Sequence, residues 1–199
     1  MENRVKNNIF QPAIVAVPSG DGLISDNLTQ ISAHLVTSKP FLREAAYVFP
    51  QQPLENLVVI NTMQHARLDL VRIGDDVEAE KDRLILSFFD MARYIRDELA
   101  NKRSYWVDYI DPCSGLPVCS EGQNMFNEVD CAQTLLGYSV QNAGCCKIIL
   151  HPQWGSAVYP ASIFTTAPVD AVLAALNKLP RPGTMTEEEV APIEINKQN

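Results

Sequence analysis

The sequence predicts an α+β domain built on a largely antiparallel sheet. Three observations carry that expectation. Residues 76–101 read as one long amphipathic helix, β-patterned stretches lie on both sides of it, and strand and helix never alternate regularly. A doubly wound parallel sheet needs that regular alternation, so it is not expected.

In chain order, residues 1–12 are polar and Asn-rich and read as a flexible N-terminus. A single domain then spans 13–179. Ala13 to Val17 reads as a short strand closed by the turn cluster Pro18-Ser19-Gly20-Asp21-Gly22. Phe41 to Phe49 and Leu57 to Thr62 are rich in β-branched and aromatic residues and are expected to be extended. Ala66, Leu68 and Leu70 alternate with Arg67 and Asp69, which predicts a hairpin over 57–73 turning near Gln64. The long helix has Val77, Leu84, Phe88, Ala92, Ile95 and Leu99 on one face. Acidic residues open it and Arg93, Arg96, Lys102 and Arg103 gather near its end, as the helix dipole favours. Trp106 to Ile110 alternates as a strand and stops at the turn Asp111-Pro112-Cys113-Ser114-Gly115. A loop through 119–130 follows, then strands at Lys147–Leu150 and Val158–Thr165. A helix opened by Pro168 carries Val172, Leu173, Leu176 and Leu179. From Pro180 to Asn199 the chain reads as a disordered acidic tail.

Composition narrows the function. A net charge of −8 argues against a nucleic-acid or anionic-membrane partner, both of which call for a clustered basic surface. No apolar run approaches the roughly 18 residues of a spanning helix. The first eight residues hold no apolar signal region, and five cysteines is an odd count, so a reducing cytoplasmic setting is expected.

The thiols carry the most chemical information. In Gly144-Cys145-Cys146-Lys147 two thiols sit on a small-residue turn beside Lys147, the sole Lys or Arg between Arg103 and Lys178. A cationic neighbour favours the reactive thiolate. A buried pair filling the core is the competing reading, and the residues alone leave both open. A zinc site drawn from Cys113, Cys119, Cys131, Cys145, Cys146 and His151 lacks the short paired spacings of structural zinc. A Cys–His nucleophile would pair Cys145 or Cys146 with His151, yet a straight strand from 146 to 151 holds its ends about 16 Å apart. Asp108 and Asp111, three apart on a strand, point to opposite faces, and Asp111 reads as a turn residue capping its own backbone. Trp106 and Trp154 read as core or rim. Ligation of a soft metal with an open axial position, a cofactor-held cobalt included, remains beside an inert buried thiol.

The segments Tyr105-Trp106-Val107-Asp108-Tyr109-Ile110-Asp111-Pro112-Cys113-Ser114-Gly115-Leu116, Leu136-Gly137-Tyr138-Ser139-Val140, Gly144-Cys145-Cys146-Lys147-Ile148-Ile149, His151, Trp154-Gly155 and Ser162-Ile163-Phe164-Thr165 occur in this order. Together they closely resemble the CblD family, the proteins of methylmalonic aciduria and homocystinuria type D. The likeness is dense from about 105 to 166 and weaker but collinear from about 49 through 101. It implies a modified nitroreductase-like fold that has lost flavin and binds no cobalamin tightly alone. It implies a non-enzymatic adaptor that docks onto cobalamin-loaded CblC and directs the cofactor toward methionine synthase and mitochondrial methylmalonyl-CoA mutase. The competing expectation is a flavin- or thiol-dependent enzyme on a nitroreductase-like fold. Carried over by position, Cys145 is the residue offered to cobalt, Cys146 a packed neighbour, and Gly144 and Lys147 flank them. No catalytic residue and no resident metal are implied.

Three departures stand out. The chain opens without the long leader of the animal members, which weighs against a mitochondrial role for this form. The acidic tail runs beyond the resemblance, and the loop Val118–Gln123 differs from the family pattern in a way that bears on partner specificity. Self-association stays open, since nitroreductase relatives dimerise and an adaptor could give the same surface to CblC.

Overall fold

The computed structural model describes residues 15–19, 27–144 and 146–179. The expected flexible N-terminus and acidic tail lie outside these residues. The first elements are the strands β1 (Val15–Ser19) and β2 (Asn27–Leu35), the helix α1 (Lys39–Val48) and the strand β3 (Val58–His65). The long helix α2 (Asp75–Arg96) runs into a wider π-helical turn at Asp97–Asn101 and is followed by β4 (Val107–Tyr109). Then come α3 (Glu128–Leu136), β5 (Ser139–Ala143), β6 (Cys146–Leu150), β7 (Val158–Thr165) and α4 (Val169–Leu176).

Five strands form one sheet in the order β1-β2-β3-β7-β4, and every neighbouring pair is antiparallel. The α+β expectation with a mostly antiparallel sheet therefore holds. Side chains alternate across a strand, so each strand feeds two layers. On one face Ile31, Val58, Ile60, Val107, Ala161 and Ile163 pack with Phe88, Ala92, Ile95 and Leu99 of the long helix and with Val172 and Leu176 of α4. On the other face Val59 and Phe164 pack with Phe41, Ala45 and Val48 of α1. Next along that face, Met63 and Val158 meet Ala132 of α3 and Ile149 of β6. The long helix and the π-helical turn that ends it bury all six residues of the expected face, Leu99 in the turn.

Several local expectations are corrected. Residues 41–48 are helical and Phe49 caps the helix end: Pro40 sits in the first turn and Phe41, Ala45 and Val48 are buried at spacings of four and three. Aromatic content suggested a strand, but the spacing of the apolar residues decided the element. The expected 57–73 hairpin does not form either. Gln64 lies inside β3, and its side chain donates to the Leu84 carbonyl of α2 at 2.8 Å. Both edges of β3 are already taken, by β2 and β7, so the chain after Ala66 has no place in the sheet and runs irregularly. Pro18 and Ser19, expected in a turn, belong to β1, an edge strand of the described sheet, where proline is tolerated. Residues 13, 14 and 20–22 of that stretch lie outside the described residues.

β2, α3 and β5 were not anticipated. α3 carries its own punctuation: the Asn127 side chain accepts from Val129 N and Asp130 N, and Gly137 ends the helix at φ 68°. The remaining strands and α4 stand close to where the sequence puts them.

Candidate functional site

Gly144 and the backbone of Cys146 lie at the end of a separate hairpin. β5 and β6 form their own two-stranded sheet, and the pair Ala143↔Cys146 closes a loop of only two residues, 144 and 145. Such loops require φ above zero, which Gly144 supplies at 62°. Gly144 is exposed, and a Cβ placed on it would meet nothing within 4 Å. Cys145 lies outside the described residues, as does the side chain of Cys146. The hairpin packs through Ile149 onto Met63, Ala132 and Val158.

Lys147 does not stand as an uncompensated cation beside the thiols. Its Nζ is 2.8 Å from Asp130 Oδ1 of α3, with both side chains partly in water. Its positive potential at the turn is therefore shared with a carboxylate. Three further thiols are free, Cys113 and Cys119 exposed and Cys131 buried. Although Cys119 as a residue is exposed, partial enclosure of its thiol and the nearby Asp108 push it up to about 11, so it stays protonated at neutral pH. Burial, aided by Glu128, raises Cys131 further. Among the described residues no group of three His, Cys, Asp or Glu side chains is placed to hold a metal ion.

His151 is committed elsewhere than to a thiol. β6 runs unbroken from Cys146 to Leu150, with His151 just beyond it. The ring Nδ1 accepts from Gln153 N and Trp154 N, and Nε2 lies 3.0 Å from Gln30 Oε1. Burial and the neighbouring His65 lower its pKa to about 4, so it is neutral in ordinary buffers. Trp154 stacks on this ring at 3.8 Å, and Trp106 packs edge-on against Phe49, the rim and core roles expected of them.

Asp108 is fully buried, and its carboxylate accepts from Tyr109 N, Cys119 N and Ser120 N at 2.7–2.9 Å. It fixes the 118–123 loop to β4 and is not aimed at an open site. Asp111 accepts from Cys113 N and Ser114 Oγ, the turn-capping role read from the sequence.

One polar cluster escaped the sequence reading. Asn61, Ser162, Cys131 and Glu128 meet beneath α3, and Ser162 Oγ donates to Glu128 Oε2. Burial raises the Glu128 carboxyl to about 7. The N-cap Asn127 followed by an acidic first turn was the available signal for α3. Nothing local connects it to Asn61 or Ser162.

The family model of the methylmalonic aciduria and homocystinuria type D protein matches residues 29–179. This chain belongs to that family. Among CblD relatives, the rat cobalamin trafficking protein CblD is 35% identical over 130 residues, which is 65% of this chain and 44% of the rat protein. The human cobalamin trafficking protein CblD is 35% identical over 125 residues, 62% of this chain and 42% of its own length. The chicken protein of the same name is 34% identical over the same length. The chain thus aligns with under half the length of these CblD proteins. The family match covers the five-stranded sheet from Thr29 onward, all four helices and the thiol-bearing hairpin.

Proposed function

We propose that this CblD-family chain is a non-enzymatic adaptor in cobalamin trafficking, and that it offers the Cys145 thiolate as an axial ligand to cobalt held by a CblC-type partner. The observation that carries the reading is the exposed Gly144, at positive φ, immediately before Cys145 in the chain. Gly144 has open space on its Cβ side, so a flat, bulky ligand can come close to the backbone there. A thiolate on such a turn suits a soft metal with a free axial position. The scaffold is on this view the nitroreductase-like fold without its flavin, and cobalamin is cargo shared with the partner. Delivery to methionine synthase and methylmalonyl-CoA mutase, and a cytoplasmic site of action, complete the proposal. Cobalamin trafficking is what the names of the rat, human and chicken relatives state.

The test is visible spectroscopy on the chain mixed with cobalamin-loaded CblC. A thiolato-type band is expected, lost in Cys145→Ala and kept in Cys146→Ala. The reverse pattern moves the ligand to Cys146. A band unchanged in both single variants, or no band with the wild-type chain, sinks the ligation reading.

A further inference from the structure

The thiol hairpin is fastened at its root by a polar and aromatic cluster. Among the described residues it shares no ladder with the five-stranded sheet. At its root the last pair is Ser139↔Leu150, and the two flanking residues are Tyr138 and His151. Their rings meet edge to face with centroids 5.2 Å apart. A single side chain of β2 holds both of them. Gln30 Nε2 donates to the Tyr138 hydroxyl at 2.7 Å, and Gln30 Oε1 lies 3.0 Å from His151 Nε2. Because His151 Nδ1 already accepts two backbone N–H groups, Nε2 carries the proton and donates to Gln30. On its far side the imidazole stacks on Trp154, which stacks in turn on His65 of β3 at 5.0 Å. A reciprocal pair of backbone bonds between His151 and Gly155 closes the turn that carries Trp154.

Near the tip, by contrast, stands the Lys147–Asp130 pair, with side chains 50% and 38% exposed. Ion pairs so placed hold little, about 0–1 kcal/mol. The root contacts therefore help set the direction of the hairpin, beside the packing of Ile149 onto Met63, Ala132 and Val158. Five residues of strand span about 16 Å. A swing of roughly 15° at the root would carry the tip about 4 Å, while an error near 1 Å already degrades a positioned interaction.

We propose that Gln30, Tyr138 and His151 form a positioning clip that locks the hairpin root to β2 and so fixes where the Gly144–Lys147 tip meets the partner-held cobalt. The second half rests on the proposed cobalt ligation; the first half does not. Their polar atoms are spent on one another and on the backbone. That pattern fits a clip better than a ligand site.

The experiment compares the full chain with Gln30→Met, which keeps side-chain length and removes both hydrogen bonds, and with Tyr138→Phe, which removes one. Hydrogen–deuterium exchange reads the clip directly. The amides of β5 and β6 should exchange about tenfold faster in Gln30→Met and by less in Tyr138→Phe, with β3 and β7 unchanged. The apparent affinity for cobalamin-loaded CblC, read from the thiolato band, should fall about tenfold in Gln30→Met. Wild-type exchange in the hairpin of both variants overturns the clip whatever the spectra show. Faster exchange with wild-type affinity overturns the positioning role. Absence of the band in the wild-type chain sinks the ligation reading and leaves the clip to be decided by exchange. Should Gln30→Met fail to fold, Tyr138→Phe carries the same comparisons.

Discussion

Asn61 of β3 and Ser162 of β7 stand directly opposite each other in the sheet, and the Asn61 amide donates to the Ser162 hydroxyl at 3.0 Å. The same amide reaches Cys131 Sγ at 3.4 Å, and Ser162 passes its own proton toward Glu128. This polar island joins the two apolar clusters on that face, one containing Cys131 and the other its neighbour Ala132. Asn61 Oδ1 and Glu128 Oε1 are enclosed with no hydrogen-bond partner among the described residues. Both are acceptors. Burial favours a proton on Glu128, which leaves the carboxyl neutral.

That proton and His151 make opposing contributions to stability. The Glu128 carboxyl is raised from 4.5 to about 7, so its contribution is present below 4.5 and is lost as pH rises through 7. His151 is lowered from 6.5 to about 4, so its contribution is present above 6.5 and is lost as pH falls toward 4. Between about 4.5 and 6.5 the two slopes oppose each other. Glu128→Gln should leave a stability that climbs more steeply with pH, and His151→Gln one that climbs less or falls. Urea unfolding at four pH values across this window measures it. Parallel profiles for the three proteins would count against both assignments.

Asp108→Asn should destabilise strongly, by about 3 kcal/mol, because a buried carboxylate serving three backbone N–H groups is replaced by an amide with one acceptor. The midpoint in denaturant should drop at constant slope. Faster proteolysis in the 118–123 loop is expected alongside. A loss below about 0.5 kcal/mol would show that the loop is held by something else.

Lys147→Ala should cost less than about 1 kcal/mol, since the pair with Asp130 is half in water. A double-mutant cycle with Asp130→Ala measures the coupling. It should shrink further in 0.5 M salt. A coupling above 2 kcal/mol would mean that the tip is fastened as firmly as the root.

At Gly144 the constraint is backbone conformation and not space. With φ at 62° and no atom near a built Cβ, Gly144→Asn should be nearly neutral, while Gly144→Val should cost about 1–2 kcal/mol. Equal losses for the two would point to crowding at the tip.

The sequence by itself determined the long helix, the strand at Val158–Thr165, the Asp111 turn and the family. Each rests on a local pattern: apolar residues at helical spacing, a β-branched run, a turn cluster, short motifs in a fixed order. Local patterns misled where two readings share the same composition. Residues 41–49 are aromatic enough for a strand, yet their buried residues fall at helical spacing, and the sheet covered by Phe41, Ala45 and Val48 made 41–48 a helix. The alternation over 66–70 promised a hairpin, but β3 had no free edge for it. Only the tertiary structure brought Gln30 to Tyr138 and His151 across more than a hundred residues, and Asn61 to Ser162 across 101. The thiol turn was visible as a motif from the start. What fastens it to the sheet was not, because periodicity records which face a residue presents and carries no record of the residue it will meet there.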